Sequence, residues 1–182
     1  MAMLKGEHII LRPFREEDFD AWYRMMAYNV EVALLGRGTW VPYTAEAARQ
    51  RWHFIQNASP DSEVHFAVDH DGRCIGSISL KHIDRRSQHA WLGIVLHGEQ
   101  LGRGYGRDAL RTLLRWAFVI ENYHRISLET WATNERALRC YRAAGFVEEG
   151  RMREAIWVAG KHIDTVQMGV LRREWLERHS GS

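Results

Sequence analysis

The sequence predicts an α+β fold: a mixed, mostly antiparallel central sheet of about seven strands, flanked by helices. Three observations carry this. Apolar runs at residues 64–69, 74–83 and 90–96 are separated only by the short turns Asp71-Gly72 and Asp84-Arg85-Arg86-Ser87, so the middle of the chain is an antiparallel meander. The third run enters a glycine-rich loop, a helical pattern and a further apolar run at 126–131. That is a β–loop–α–β unit, whose two strands lie parallel and adjacent. Two last runs, 146–158 and 162–171, are joined by Ala159-Gly160-Lys161, a second hairpin. Neighbouring parallel strands of such a unit can splay at one end and admit a ligand.

The elements follow in order. Residues 8–11 form a short strand closed by Pro13. Arg15-Glu16-Glu17-Asp18 opens a helix with acidic residues in its first turn, where the helix dipole favours them. Phe19, Trp22, Tyr23 and Met26 recur at helical spacing. Residues 29–43 are irregular, with Gly36, Gly38 and Pro42, and carry Trp40 and Tyr43; a loop of this length suits function. Thr44 caps the next helix, which runs to about Asn57 with Ala48, Trp52 and Ile55 on one face. Ser59-Pro60-Asp61 breaks the chain before the meander. The helix after the glycine-rich loop spans about 106–121, with Ala109, Leu110, Leu113, Leu114, Ala117 and Phe118 on its apolar face. Thr133-Asn134 caps a helix over 135–144, and Gly145 stops it. A charged helix, 172–179, follows the last strand.

Composition narrows the function. The 182 residues favour one domain, 1–182, with room for a real core. A net charge of +2, without a polybasic run, argues against a nucleic-acid partner. No apolar stretch reaches the ~18 residues of a membrane span, and the first residues have no apolar signal core. Cys74 and Cys140 lie far apart and form no metal-ligand pattern, so no metal is expected. A reduced, cytoplasmic chain is the simplest reading.

The chemistry centres on Gln100-Leu101-Gly102-Arg103-Gly104-Tyr105-Gly106-Arg107. Alternate glycines leave backbone N–H groups unshielded, and a helix N-terminus favours an anion. Arg103 and Arg107 add positive charge. The loop reads as a phosphate or pyrophosphate site, or as glycines that only solve a turn. Arg107 at the last glycine position and the antiparallel strands before the loop argue against a dinucleotide-binding Gly-x-Gly-x-x-Gly. No Gly-Lys-[Ser/Thr] follows, as a P-loop needs.

A second cluster lies beyond the next strand: Asn134-Glu135-Arg136-Ala137-Leu138-Arg139-Cys140-Tyr141-Arg142-Ala143-Ala144-Gly145-Phe146. The two segments together resemble the GNAT superfamily of acetyltransferases. Gly104 and Gly106 match the glycines of its pyrophosphate loop. Asn134, Ala137, Tyr141, Gly145 and Phe146 match its Asn-x-x-Ala-x-x-x-Tyr-x-x-x-Gly-Phe segment. The opening Leu11-Arg12-Pro13 with Glu16-Glu17-Asp18 resembles the branch of ribosomal-protein N-terminal and polyamine acetyltransferases. The likeness covers about residues 8–175. It departs at Leu101, where the family has Gln or Arg, and at Trp91, where relatives often carry a glutamate.

The resemblance implies an acetyl-CoA-dependent N-acetyltransferase with acetyl-CoA as cosubstrate and direct transfer to a primary amine. Amides of Leu101, Gly102, Arg103, Gly104, Tyr105, Gly106 and Arg107 would take the pyrophosphate. Backbone of Ile94, Val95 and Leu96 would take the pantetheine arm. Asn134, Ala137, Tyr141 and Arg142 would close the other side. For Arg142, as for Arg139, a solvated helix face is an equal reading, and Asn134 can cap and bind at once. Tyr141 would protonate the leaving thiolate, since a phenol of ordinary pKa ~10 is protonated at neutral pH. Glu129 is the candidate base, with His82 and His97 behind it. Trp40 and Tyr43, and more weakly Trp157, could wall the acceptor pocket. The acceptor is a small amine, a polyamine or a peptide N-terminus. A CoA-binding sensor or inactive relative is the alternative that Trp91 keeps open. A homodimer is common among relatives.

Overall fold

A computed structural model describes residues 3–27 and 44–179 of the chain. Within them eight strands form one sheet in the order β1-β2-β3-β4-β5-β6-β8-β7. The strands are β1 Leu4–Lys5, β2 Ile10–Arg12, β3 Val64–His70, β4 Arg73–Asp84, β5 His89–Leu96, β6 Arg125–Trp131, β7 Val147–Val158 and β8 Lys161–Leu171. The helices are α1 Phe19–Ala27, α2 Ala45–Gln56, α3 Tyr105–Arg115, α4 Glu135–Ala144 and α5 Arg172–His179. Every neighbouring pair is antiparallel except β5 and β6. The α+β class and the meander are as expected. The extra strand is β1, two residues paired with Ile10 and Leu11, too short to show an alternating pattern.

The helix boundaries rest on their caps. Ala47 N donates to Thr44 Oγ1 at the start of α2, and Ala137 N donates to Asn134 Oδ1 at the start of α4. Gly145 ends α4 with φ +105°, the left-handed conformation that favours glycine. The long helix expected over 106–121 is regular only to Arg115. Trp116–Ile120 then forms a π turn, in which Glu121 N donates to the Trp116 carbonyl at 3.0 Å. The wider turn buries Ala117 and Phe118 and leaves Val119 and Ile120 exposed.

Strand alternation sorts the sheet into two faces. One face carries Val68, Ile78, Leu80, Leu92, Ile126, Leu128, Val166 and Met168, packed on Leu110, Leu113 and Leu114 of α3 and Leu138 of α4. Phe66 joins it, its ring 5.2 Å from Trp116. The opposite face is covered over β3 to β5 by α1 and α2. There Phe19, Trp22, Met25, Ala48 and Trp52 form a separate aromatic core, and Val95 of β5 packs against it.

One buried ionic knot ties the opening segment to the sheet. Arg12 donates to both carboxylate oxygens of Asp18, at 2.6 and 2.9 Å, and through Nε to Asp69 at 2.7 Å. Arg12 is 2% exposed and Asp18 4%. Burial alone would raise the Asp18 carboxyl, but hydrogen bonds from the Arg12 guanidinium and the Arg15 amide outweigh it and hold it below its ordinary value. A depressed carboxyl contributes stability that is complete above its unfolded pKa of ~4 and is lost as pH falls. Arg12→Met therefore lowers unfolding free energy by about 3–5 kcal/mol at pH 7, because two buried carboxylates lose their cation. In urea titrations the gap between wild type and variant narrows as pH falls below ~4. A gap independent of pH would contradict the ionic account.

Candidate active site

The site begins where β5 and β6 stop pairing. Only three register pairs join them: His89 with Arg125, Ala90 with Ile126 and Trp91 with Ser127. Beyond these, β5 continues to Leu96 against β4 alone, and β6 continues to Trp131 against β8 alone. The edge of β5 from Leu92 to Leu96 that faces β6 therefore has main-chain donors and acceptors outside the ladder. The expected positions Ile94, Val95 and Leu96 all lie on this opened stretch.

The glycine-rich loop closes the same end. After Leu96, Gly98–Gln100 makes one 3₁₀ turn, and Leu101 leads into the loop. Gly102 and Gly104 have φ of +77° and +85°, and a Cβ on either would meet nothing within 4 Å. Their role is thus conformational, and the space before them is open. Gly104 is the N-cap of α3, with no side chain capping it. The first intrahelical bond runs from Asp108 N to the Gly104 carbonyl. The amides of Tyr105, Gly106 and Arg107 are the orphan donors of a helix start, and an anion is their natural partner. Arg103 and Arg107 are exposed and have no ion-pair partner among the described residues. Gly106 has ordinary φ but lies close to Leu96 and to Cys140 Sγ, 3.5 and 3.9 Å from its virtual Cβ.

The geometry of this helix start is held from outside. The Asp108 carboxylate accepts three backbone N–H groups, from Glu7, His8 and Ile9, at 2.9, 2.7 and 3.1 Å. A Cβ on Gly6 would fall 2.6 Å from Asp108 Oδ1, so only glycine lets the segment approach. The Tyr105 hydroxyl lies 2.8 Å from His70 Nε2, and His70 Nδ1 lies 2.8 Å from the His8 carbonyl. A carbonyl only accepts, so Nδ1 carries the hydrogen and Nε2 accepts from the phenol. These partners came from outside the two motifs, and nothing in their spacing announced them.

The second motif sits as expected on α4, which follows β6 directly. Asn134 caps it. Tyr141 packs edge-on to Phe146 with ring centroids 5.9 Å apart. Burial pushes the Tyr141 phenol well above its ordinary pKa, so it stays protonated through the neutral and alkaline range. Arg142 is exposed and paired to Glu148 at 3.4 Å, and Ala137 is half-buried in the first turn.

The remaining candidates divide. Glu129 is exposed on β6, two residues past the last β5 pair. It shares a face with Ser127 and Trp131, opposite α3. His97 follows β5; burial pulls its imidazole below the ordinary value, and the ring bonds the Ala21 carbonyl of α1. His82 sits in the β4 bulge, at φ +48°, toward the closed end of the β5–β6 pair, so it lies away from the opening. Trp157 is exposed on β7, its ring 4.8 Å from His162. Trp40 and Tyr43 lie outside the described residues. Among the described residues no three His, Cys, Asp or Glu side chains group as metal ligands, and no helix is long and apolar enough to cross a membrane.

Residues 8–147 match the family described as Acetyltransferase (GNAT) domain. A Bacillus subtilis relative provisionally named ribosomal N-acetyltransferase YdaF is 27% identical over 178 residues, covering 93% of this chain and 94% of its own. The spermidine N(1)-acetyltransferase of Vibrio cholerae is 31% identical over 119 residues, covering 65% and 69%. The crystal structure of spermidine N-acetyltransferase from Vibrio cholerae with CoA and spermine superposes with a TM-score of 0.83 at 24% identity, covering 94% of this chain and 99% of that one.

The loop geometry generates a direct test. Gly104→Ala forces a side chain into the left-handed region, at a strain of about 1–2 kcal/mol. We expect the free variant to relax out of this turn, so that restoring it on binding weakens CoA about 5- to 30-fold in calorimetric titration. Unchanged affinity would show that the amides of this turn do not hold the anion.

Proposed function

The chain belongs to the GNAT acetyltransferase family and is an acetyl-CoA-dependent N-acetyltransferase, and we propose that it transfers the acetyl group to a primary amine at the parting of β5 and β6. The observation that carries this reading is the opened β5 edge running directly into a turn of unpartnered helix-start amides. The two features are contiguous, from Leu92 to Arg107, and a long cosubstrate with a pyrophosphate at one end and a thioester at the other suits them.

Each residue then has a task. The amides from Gly102 to Arg107 hold the pyrophosphate, with Arg103 and Arg107 adding field. Main-chain groups of Ile94, Val95 and Leu96 hold the amide-bearing arm, and an N–H near Val95 polarises the thioester carbonyl. The amine nitrogen attacks the carbonyl carbon; the C–N bond forms and the C–S bond breaks. Tyr141, protonated and half-buried within the second motif, gives the thiolate its proton. Asn134 fixes the start of α4 and so the placement of Tyr141. Arg142 rims the same helix. The acceptor arrives on the sheet face opposite α3, where Glu129 presents a carboxylate to an ammonium.

For the acceptor we favour a small amine of the polyamine kind. The likeness to a spermidine acetyltransferase supports it, as does the exposed acidic Glu129. A peptide N-terminus is the second reading, supported by the near full-length similarity to the relative named as a ribosomal N-acetyltransferase. Thiol release from acetyl-CoA, assayed with polyamines, amino acids and short peptides, separates the two. We expect acceptor-dependent release with a polyamine. Tyr141→Phe lowers kcat about 10²-fold, within the usual range for general acid catalysis, and leaves CoA affinity unchanged. CoA binding without release to any amine would support the inactive-relative reading instead.

A further inference from the structure

The amine reaches this site as an ammonium and must lose a proton before it attacks. Gly93 is the first residue after Trp91 on the α1–α2 face of β5, and so the first on that face beyond the last β5–β6 pair. It has no side chain, so it leaves a gap between Trp91 and Val95. Across that gap lies Ser79, its register partner on β4; a Cβ on Gly93 would sit 3.4 Å from Ser79 Oγ. Ser79 in turn pairs with His65 on β3. Side chains of such partners stand about 4.5–5.5 Å apart at Cβ and point the same way. One row therefore runs from the opening into the protein: Gly93, Ser79, His65.

The row ends on a carboxylate. His65 Nε2 lies 2.7 Å from Glu63 Oε2, with the two side chains 7% and 17% exposed. An ionised carboxylate only accepts, so Nε2 carries the hydrogen and Nδ1 keeps its lone pair. Nδ1 has no hydrogen-bond partner among the described residues. A carboxylate behind one nitrogen and a free lone pair on the other is the arrangement that lets an imidazole take up a proton. The groups facing the ring are Glu63, just before its own strand, Lys81 from β4 and Arg51 from α2. Burial, the largest effect, holds the imidazole below its ordinary value, so it is neutral and ready to accept at neutral pH.

We propose that the row Ser79–His65–Glu63 is the proton-accepting device of the reaction, with Ser79 at the acceptor amine and His65 acting through it. The inference deepens the acetyl-transfer reading above and rests on it. In the step, one ammonium N–H bond breaks and its proton passes to Ser79 Oγ. Ser79 Oγ and His65 Nδ1 are register neighbours without a direct hydrogen bond, so the Ser79 proton passes to Nδ1 through one bridging water, giving an imidazolium held by Glu63. The freed nitrogen lone pair forms the C–N bond. The nitrogen's second proton replaces the one that Tyr141 gave the thiolate, and the first returns to water from His65. Glu129, exposed on β6, then serves to attract the ammonium and not to deprotonate it.

The test is the pH profile of kcat/KM with the best amine, for wild type, Glu63→Gln, His65→Gln, Ser79→Ala and Ser79→Thr. For wild type we expect an acid limb where His65 protonates, on the acid side of the ordinary imidazole range. Glu63→Gln moves that limb to lower pH, because the imidazolium loses its carboxylate. His65→Gln and Ser79→Ala remove the limb and lower the plateau about 10²-fold, while Ser79→Thr keeps the hydroxyl and restores most of it. A His65→Gln enzyme with the wild-type limb and plateau overturns the proposal and leaves acetyl transfer standing. Absence of turnover by wild type with every amine overturns the transfer reading itself, and this inference with it. Should a variant fail to fold, nitrogen-resolved NMR of the wild-type histidines decides: Nδ1 of His65 is the unprotonated nitrogen on our account, and an unprotonated Nε2 contradicts it.

Discussion

Everything in this molecule that bears on function depends on two strands that stop pairing. β5 and β6 share three register pairs and then part. An eight-stranded sheet with one interruption exposes main-chain hydrogen-bonding groups in its middle, where a continuous sheet would have satisfied them. Unpaired backbone groups away from water cost free energy, so a gap of this kind persists only where a ligand or water completes it. The site follows from that deficit. The opened edge offers donors and acceptors in a straight line, and the helix start at Gly104 offers a converging set at its end.

The protein holds the gap open by fixing what lies around it. On the α3 face, Leu110, Leu113 and Leu114 of α3 and Leu138 of α4 pack on both sides of the parting, on Leu92 of β5 and Leu128 of β6. On the other face, the aromatic core of α1 and α2 reaches Val95. The glycine-rich turn, which has little side-chain packing of its own, is anchored through Asp108 to the amides of Glu7, His8 and Ile9 and through Tyr105 to His70. Asp108 is itself an anion, one turn from the proposed pyrophosphate site. Its three hydrogen bonds turn its charge toward the opening segment, leaving the amides of Tyr105 to Arg107 for a ligand.

The parts of this account that were legible in the sequence are those written in local chemistry. Alternating residues fixed the strands of the meander, Thr44 and Asn134 announced caps, and the alternate glycines from Gly102 to Gly106 announced a tight loop with unshielded N–H groups. The two motifs around Gly104 and Tyr141 together named the family. What was not legible depends on register between distant strands. That Gly93, Ser79 and His65 form one row follows from pairings between residues far apart in sequence, and Glu63 gains meaning only behind His65. The π turn at Trp116 was invisible because its apolar residues keep helical spacing. β1 was invisible because two residues make no period. The anchoring role of Asp108 was invisible because its partners lie about a hundred residues earlier in the chain.

The central claim is that the cosubstrate lies along the opened β5 edge with its pyrophosphate on the start of α3. Amide hydrogen exchange, with and without CoA, tests this most directly. The account predicts that CoA slows exchange in two stretches, 92–96 and 102–107, with far smaller changes along β1 to β3. Saturating CoA that leaves both stretches unprotected would contradict it, and would place the cosubstrate elsewhere on the molecule.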